Sequence, residues 1–144
     1  MQTVLLGDTA IDIPSFLEWR DDEGTLVAHI PRTDYANLRF SLLSVKNDAG
    51  AYVPEAGIRS IRRRCKEAAA VLESKEGKVW FYSEAPATEG SAGSVMHYWY
   101  VGMDAHMLVI SCFIDSKESK NPNAARVLAS VPATIDSFRP AQDA

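Results

Sequence analysis

His97, Asp104 and His106 are the one grouping in this chain whose residue types could hold a metal or run acid–base chemistry. Imidazole is a common zinc ligand and titrates near neutrality. The three fall on two apolar runs, residues 95–101 and 106–114, that predict a β-hairpin. Reading Gly102-Met103 as a two-residue turn, with Gly102 supplying a positive φ, pairs Val101 with Asp104, Trp99 with His106 and His97 with Leu108. The two histidines then share a face about two cross-strand pairs apart, whereas a three-residue turn would put them on opposite faces. Asp104 lies at the turn, and a third ligand would have to come from elsewhere, His29 being the remaining histidine. Ring packing beside Trp99 accounts for the pattern better than a metal centre, and no metal or other cofactor is expected.

Other reactive-looking residues read the same way. Arg59, Arg62, Arg63 and Arg64 could bind an anion, but on a helix they spread over an exposed arc with Glu55, Glu67 and Glu73 as counter-charges. Gly90-Ser91-Ala92-Gly93-Ser94 has neither the spacing nor the lysine of a phosphate loop and leads into a strand. Cys65 and Cys112 sit among apolar neighbours and read as buried thiols, with no CxxC spacing for zinc. No enzymatic activity is expected. The acidic residues are more suggestive. Asp21, Asp22 and Glu23 cluster in one turn, and Glu84 and Glu89 fall in a long loop, near Trp19, Trp80, Tyr82, Tyr98 and Tyr100. Aromatic anchors rimmed by carboxylates suit protein docking. The candidate partner-binding residues are Trp19, Asp21, Asp22, Glu23, Tyr82, Glu84 and Glu89. The competing reading makes the aromatics core and the acids solubilising.

The elements that would position these residues can be read from periodicity. Residues 3–6 and 10–13 predict short strands ended by Pro14; residues 20–24 form a polar turn; residues 25–30 and 37–45 alternate as strands. Ile58, Ile61, Cys65, Ala68, Ala69 and Leu72 recur at three and four, predicting a helix over 54–74 with Pro54 in its first turn and Gly77 past its end. Residues 78–82 alternate as a strand, with Trp80 and Tyr82 on one face and Val79 and Phe81 on the other. Residues 84–93 predict a mobile loop. Asn121-Pro122 opens a second helix with a stripe from Ala124 to Phe138; Pro132 should kink or break it. Both sides of the hairpin are apolar, so a helix is expected on each face of the sheet.

At 144 residues, 47% apolar and 24% charged, the chain is one ordinary domain with a real core, taken as 1–140 followed by a frayed tail at 141–144. A net charge of −4 argues against a nucleic-acid partner. No apolar run approaches the ~18 residues of a membrane span. The N-terminus lacks a basic n-region, so a cytoplasmic location is expected, with no membrane partner.

The order of elements resembles the PsbP-like (Ran-binding Mog-type) α/β/α sandwich. The resemblance is carried by Ile13-Pro14 with Trp19, by Trp99-Tyr100-Val101-Gly102 followed by His106–Phe113, and by Ile135-Asp136-Ser137-Phe138. It implies an α+β fold with a central antiparallel sheet and one main helix on each face. Small acidic proteins of this look also resemble immunity proteins of type VI secretion. That implies a non-catalytic module, monomer or homodimer, that binds and occludes a cognate toxin. The alternatives are an adaptor or assembly factor of the PsbP-like type and, in another class, a small metal-dependent hydrolase using His97 and His106.

Overall fold

Strands form where apolar side chains alternate with period two, and that pattern runs through most of this chain. The computed structural model describes residues 1–143. In chain order the elements are β1 (Gln2–Leu6), β2 (Thr9–Ile13), β3 (Glu18–Asp22), β4 (Thr25–His29), β5 (Leu38–Ser44) and α1 (Ala56–Glu67). There follow β6 (Glu73–Lys75), β7 (Lys78–Pro86), β8 (Val95–Met103), β9 (His106–Ile114), α2 (Pro122–Ser137) and β10 (Arg139–Pro140). Seven strands build one antiparallel sheet in the order β3-β4-β5-β9-β8-β7-β6, and β1, β2 and β10 build a second, small one. The protein is therefore α+β, with two helices on an antiparallel sheet. No helix is long and apolar enough to cross a membrane.

Register sorts the side chains of the large sheet onto two faces. Leu26, Phe40, Ile110 and Trp99 lie in one cross-sheet row. With Leu38, Leu108 and Val101 they belong to a core of twenty-one buried residues, completed by β2 and by Ala124, Val127, Val131 and Ile135 of α2. We call this the inner face. On the outer face, Val79 and Phe81 pack with Ile61 and Cys65 of α1, a buried cluster of only four.

α2 begins as expected, Asn121 Oδ1 accepting the Asn123 amide at 2.9 Å and Pro122 filling the first helical position. It then runs through Pro132 as one helix, so of the expected kink or break the break does not occur. Pro132 is on the exposed side, where solvent can take the carbonyl of Leu128 that the ring leaves unpaired. Val131 and Ile135, fully buried, hold the helix together across it. The last turn is tied down twice. Ser137 Oγ accepts the Asp12 amide at 2.7 Å. The buried Lys78 ammonium donates to the carbonyls of Asp136 and of Phe138, the latter at 3.0 Å, a cation at the negative end of the helix. Beyond it, β10 pairs with β2, the Ala141 amide donates to the Asp8 carbonyl at 2.7 Å, and a 3-10 turn covers Ala141–Asp143. The rest of the tail expected to fray, Ala144, lies outside the described residues.

α1 is shorter than the predicted 54–74. Ala69 takes a left-handed φ of 52° and closes the helix, and Ala68 and Ala69 are exposed rather than part of the apolar stripe. Glu73–Lys75 pair with β7 instead, so the end of the predicted helix is spent on sheet hydrogen bonds. Gly77 (φ 81°) and Glu76 (φ 50°) make the hairpin turn between β6 and β7, not a helix stop.

The β8–β9 turn also differs. Met103 pairs with His106, so the turn is Asp104-Ala105, Asp104 adopting φ 51°. Gly102 serves a different purpose. A Cβ there would stand 3.0 Å from the Gly57 oxygen and the Ile58 Cα, and one on Gly57 would stand 2.2 Å from the His106 oxygen. Helix and hairpin thus cross backbone to backbone. At the crossing Asp104 caps α1: its Oδ1 accepts the Glu55 amide at 2.9 Å, and its carbonyl accepts those of Gly57 and Ile58 at 2.8 and 3.2 Å. Glu55, the helix's own N-cap residue, provides no side-chain bond.

Candidate protein-docking face

The short α1 leaves part of the outer face bare. Twelve residues make a helix of about 18 Å, whereas nine-residue strands extend about 30 Å. The helix sits at the Gly102 end of β8. At the opposite end Met96 and Tyr98 of β8, Ser111 and Phe113 of β9 and Arg39 of β5 line an open trough of about 640 Å³. Its walls are the loop before β5 (Asp34, Ala36, Asn37) and the loop after β7 (Ala87, Thr88, Glu89). This second loop was expected over 84–93 and mobile. Glu84–Pro86 instead complete β7, and the remainder is pinned. The Ala87 amide reaches the Ser94 carbonyl at 2.9 Å, Ser94 Oγ accepts the Ser116 amide at 3.0 Å, and the Asp115 carboxylate accepts the Ser91 amide at 3.3 Å. The Lys117 amide, which Asp115 Oδ1 accepts at 3.0 Å, and then the Ser91 amide hold the Asp115 carboxyl below its ordinary pKa.

The trough combines an apolar floor with a charged rim. Tyr98 stacks on Tyr100 at 5.9 Å, and Tyr100 on Phe81 at 4.9 Å, so the floor continues as an aromatic row towards α1. Asp34 and Glu89 are exposed on the two walls. Arg39 is held by Asp22 at 3.3 Å. Asn37 Oδ1 is buried with no hydrogen-bond partner among the described residues. Such a concavity can seat protruding apolar or aromatic side chains and satisfy a donor beside them. Among the described residues, no group of three or more His, Cys, Asp or Glu is placed to hold a metal.

The residues picked out in the sequence do not all meet here. Asp21 and Asp22 lie in strand β3, not in a turn; only Glu23 (φ 52°) and Gly24 turn the chain. Asp22 projects to the outer face and reaches the trough through Arg39, and Glu89 lines it. Trp19 pairs across to Ala28 of the inner-face core, 46% exposed at that edge. Tyr82, in its expected strand, and Glu84, in β7 rather than a loop, lie on that face too. Five strand spacings separate β3 from β7, roughly 24 Å. Asn37, Arg39, Met96, Tyr98, Ser111 and Phe113 were missed as a set, although the two-sided apolarity of β8 and β9 was their signal.

Tyr82 and Glu84 form a separate small network. The Tyr82 hydroxyl donates to Glu84 Oε2 at 2.6 Å and lies 2.6 Å from His97 Nδ1, so Nδ1 carries the hydrogen that points back at the phenol oxygen. Burial, then Glu84, pushes the Tyr82 phenol well up. Burial lowers the His97 pKa, Glu84 opposing it. His106 is elsewhere, its Nδ1 on Ser44 Oγ at 2.6 Å and its ring edge-on to Tyr52 at 4.8 Å. Burial lowers its pKa as well, against Asp104 and Asp8. His97 pairs with Cys112, and His106 with Met103. The histidines thus share a face but stand six residues apart along β8, roughly 20 Å, not two cross-strand pairs. Cys65 and Cys112 are both buried, and burial pushes the Cys112 thiol up to about 12.

No family model matches the chain, and no curated protein matches it. Solved structures do. A crystal structure of a Bacteroides thetaiotaomicron protein superposes with a TM-score of 0.68 at 18% identity, over 92% of this chain and 45% of that one. The chain thus spans less than half of that protein's length. The solution structure of cyanobacterial PsbP from Synechocystis superposes with a TM-score of 0.54 at 11% identity, covering 92% of this chain and 86% of that one. The fold is PsbP-like.

Proposed function

We propose that this chain is a non-catalytic protein-binding module, and that its partner is a cognate secreted toxin, which it occludes in the cytoplasm as an immunity protein. One observation carries the binding reading: the open end of the outer face, with Tyr98, Met96 and Phe113 on its floor and Asp34 and Glu89 on its rim. Fully desolvated aromatic anchors supply affinity at protein interfaces, and a carboxylate rim steers a basic surface and fixes its orientation. The nature of the partner rests on the resemblance to immunity proteins. The register separates His97 from His106 and withdraws geometric support from a metal-dependent hydrolase built on both.

Co-purification with the product of the adjacent reading frame tests the proposal. A stoichiometric complex is expected that loses the partner's toxicity in cells and weakens by about 100-fold in Tyr98→Ala/Phe113→Ala. Two folded proteins that fail to associate would sink it. An adaptor or assembly role of the PsbP-like type is the second reading, favoured by the likeness to cyanobacterial PsbP over 86% of that chain. Binding that leaves the partner's activity intact would select it.

A further inference from the structure

The exposed side of α1 carries Arg59, Arg62, Arg63 and Lys66. Spacings of three, four and seven put these cations in one stripe, within an arc of about 100° and over about 10 Å of helix axis. They point away from the buried Ile61 and Cys65. Glu55, Glu67 and Glu73 are close in sequence, yet none of the helix's five cations makes an ion pair among the described residues; the ion pairs there engage Arg39, Lys75, His97 and Arg139. Five cations and one carboxylate in twelve residues stand in a chain whose net charge is −4. Charge is therefore segregated, with a cationic ridge beside the acid-rimmed trough on the same face.

We infer that the α1 stripe binds an acidic segment of the protein partner, so that the docking face reads a bipolar surface: basic opposite the trough and acidic opposite the helix. The inference deepens the protein-binding reading and rests on it for the identity of the partner. Guanidinium groups pair bidentately with carboxylates, and a straight row matches carboxylates presented along a helix or an extended strand. Nucleic acid and anionic bilayers call for a broad basic field, whereas here 15 Lys and Arg are outnumbered by 19 Asp and Glu. Screening confines the stripe to about 8 Å at physiological salt, enough for a local contact with one acidic segment.

Fluorescent poly-L-glutamate tests the stripe without any natural partner. Binding at 20 mM NaCl is expected, falling at least tenfold at 300 mM and at least tenfold in Arg62→Glu/Arg63→Glu, while Arg20→Glu, on the far edge strand, leaves it unchanged. Circular dichroism should show both variants folded, since the substituted side chains are exposed; Arg59→Gln/Lys66→Gln gives a milder loss if the reversal does not fold. No binding at low salt, or equal binding by the reversed variant, overturns the inference. Tighter binding to phosphatidylglycerol vesicles or to a single-stranded oligonucleotide also overturns it, replacing the protein segment with a bilayer or a nucleic acid. If poly-L-glutamate binds through the stripe but the adjacent frame's product does not bind at all, the stripe stands and the toxin reading falls.

Discussion

Trp99 and Tyr98 are neighbours in sequence and opposites in role. Trp99 is 5% exposed on the inner face, sealed beneath α2 and the small sheet. Tyr98 looks the other way, onto the floor of the trough. The inner face gathers twenty-one buried residues and the outer cluster only four. One side of this sheet supplies most of the buried core, which leaves the other to carry a half-buried aromatic floor.

The sharpest way to break that contrast is to truncate both neighbours. Trp99→Ala should cost about 3–5 kcal/mol in urea unfolding, and Tyr98→Ala under about 1 kcal/mol while it weakens the partner complex. Equal losses in stability would show that the faces are not divided in this way. A smaller effect is expected where α1 crosses the hairpin. Gly57→Ala forces the two backbones apart and should cost about 1–3 kcal/mol; the same change at Gly50, where nothing lies within 4 Å of an added Cβ, makes no clash and tests only the strain of its φ of 82°. Asp104→Ala removes the carboxylate bond to the Glu55 amide and should cost about 1 kcal/mol. Asp104→Asn, which keeps an acceptor and tolerates the left-handed φ, should recover most of it.

The smallest effect is a pH dependence. Burial holds His97 and His106 below their ordinary pKa of 6.5 when folded. As pH falls below 6.5 the unfolded chain takes up protons first, so this part of the stability is complete above 6.5 and is lost as pH drops through the folded values. Asp12 and Asp115, held below 3.8 by hydrogen bonds and, for Asp12, by Arg139, add a further loss only near and below that pH. Urea midpoints should therefore decline between pH 7 and pH 5, less steeply in His106→Gln. An unchanged slope would remove His106 as a source.

Much of the fold was legible because it follows from local alternation. Strands β1, β2, β4, β5, β8 and β9, the opposite faces of Trp80 and Val79, and the Asn121 cap are all written in neighbouring residues, whereas the polar β3 reads as a turn and the short β6 and β10 show no alternation. The end of α1 was not, because residues 73–75 suit a helix by spacing and a strand by partner, and β7 lies beyond the reach of periodicity. The hairpin register failed for a related reason. Gly102 looked like a turn glycine, while its absent side chain makes room for α1. The trough was hidden by both errors, since a helix over 54–74 would have covered more of the outer face. Glu89 and Asp22 were found, but the surface joining them exists only where α1 is missing.

The Asp104 cap has a consequence for how this protein opens. A twelve-residue helix is marginal in isolation, and the N-terminus of α1 is completed by a residue 49 positions away. The helix therefore gains its cap only once the β8–β9 turn has formed, and it loses that cap when the turn parts. In native-state hydrogen exchange the α1 amides and the hairpin should behave as one cooperative unit. The cationic ridge is displayed only while the central strands behind it are closed, so the stripe presents itself in full register or not at all.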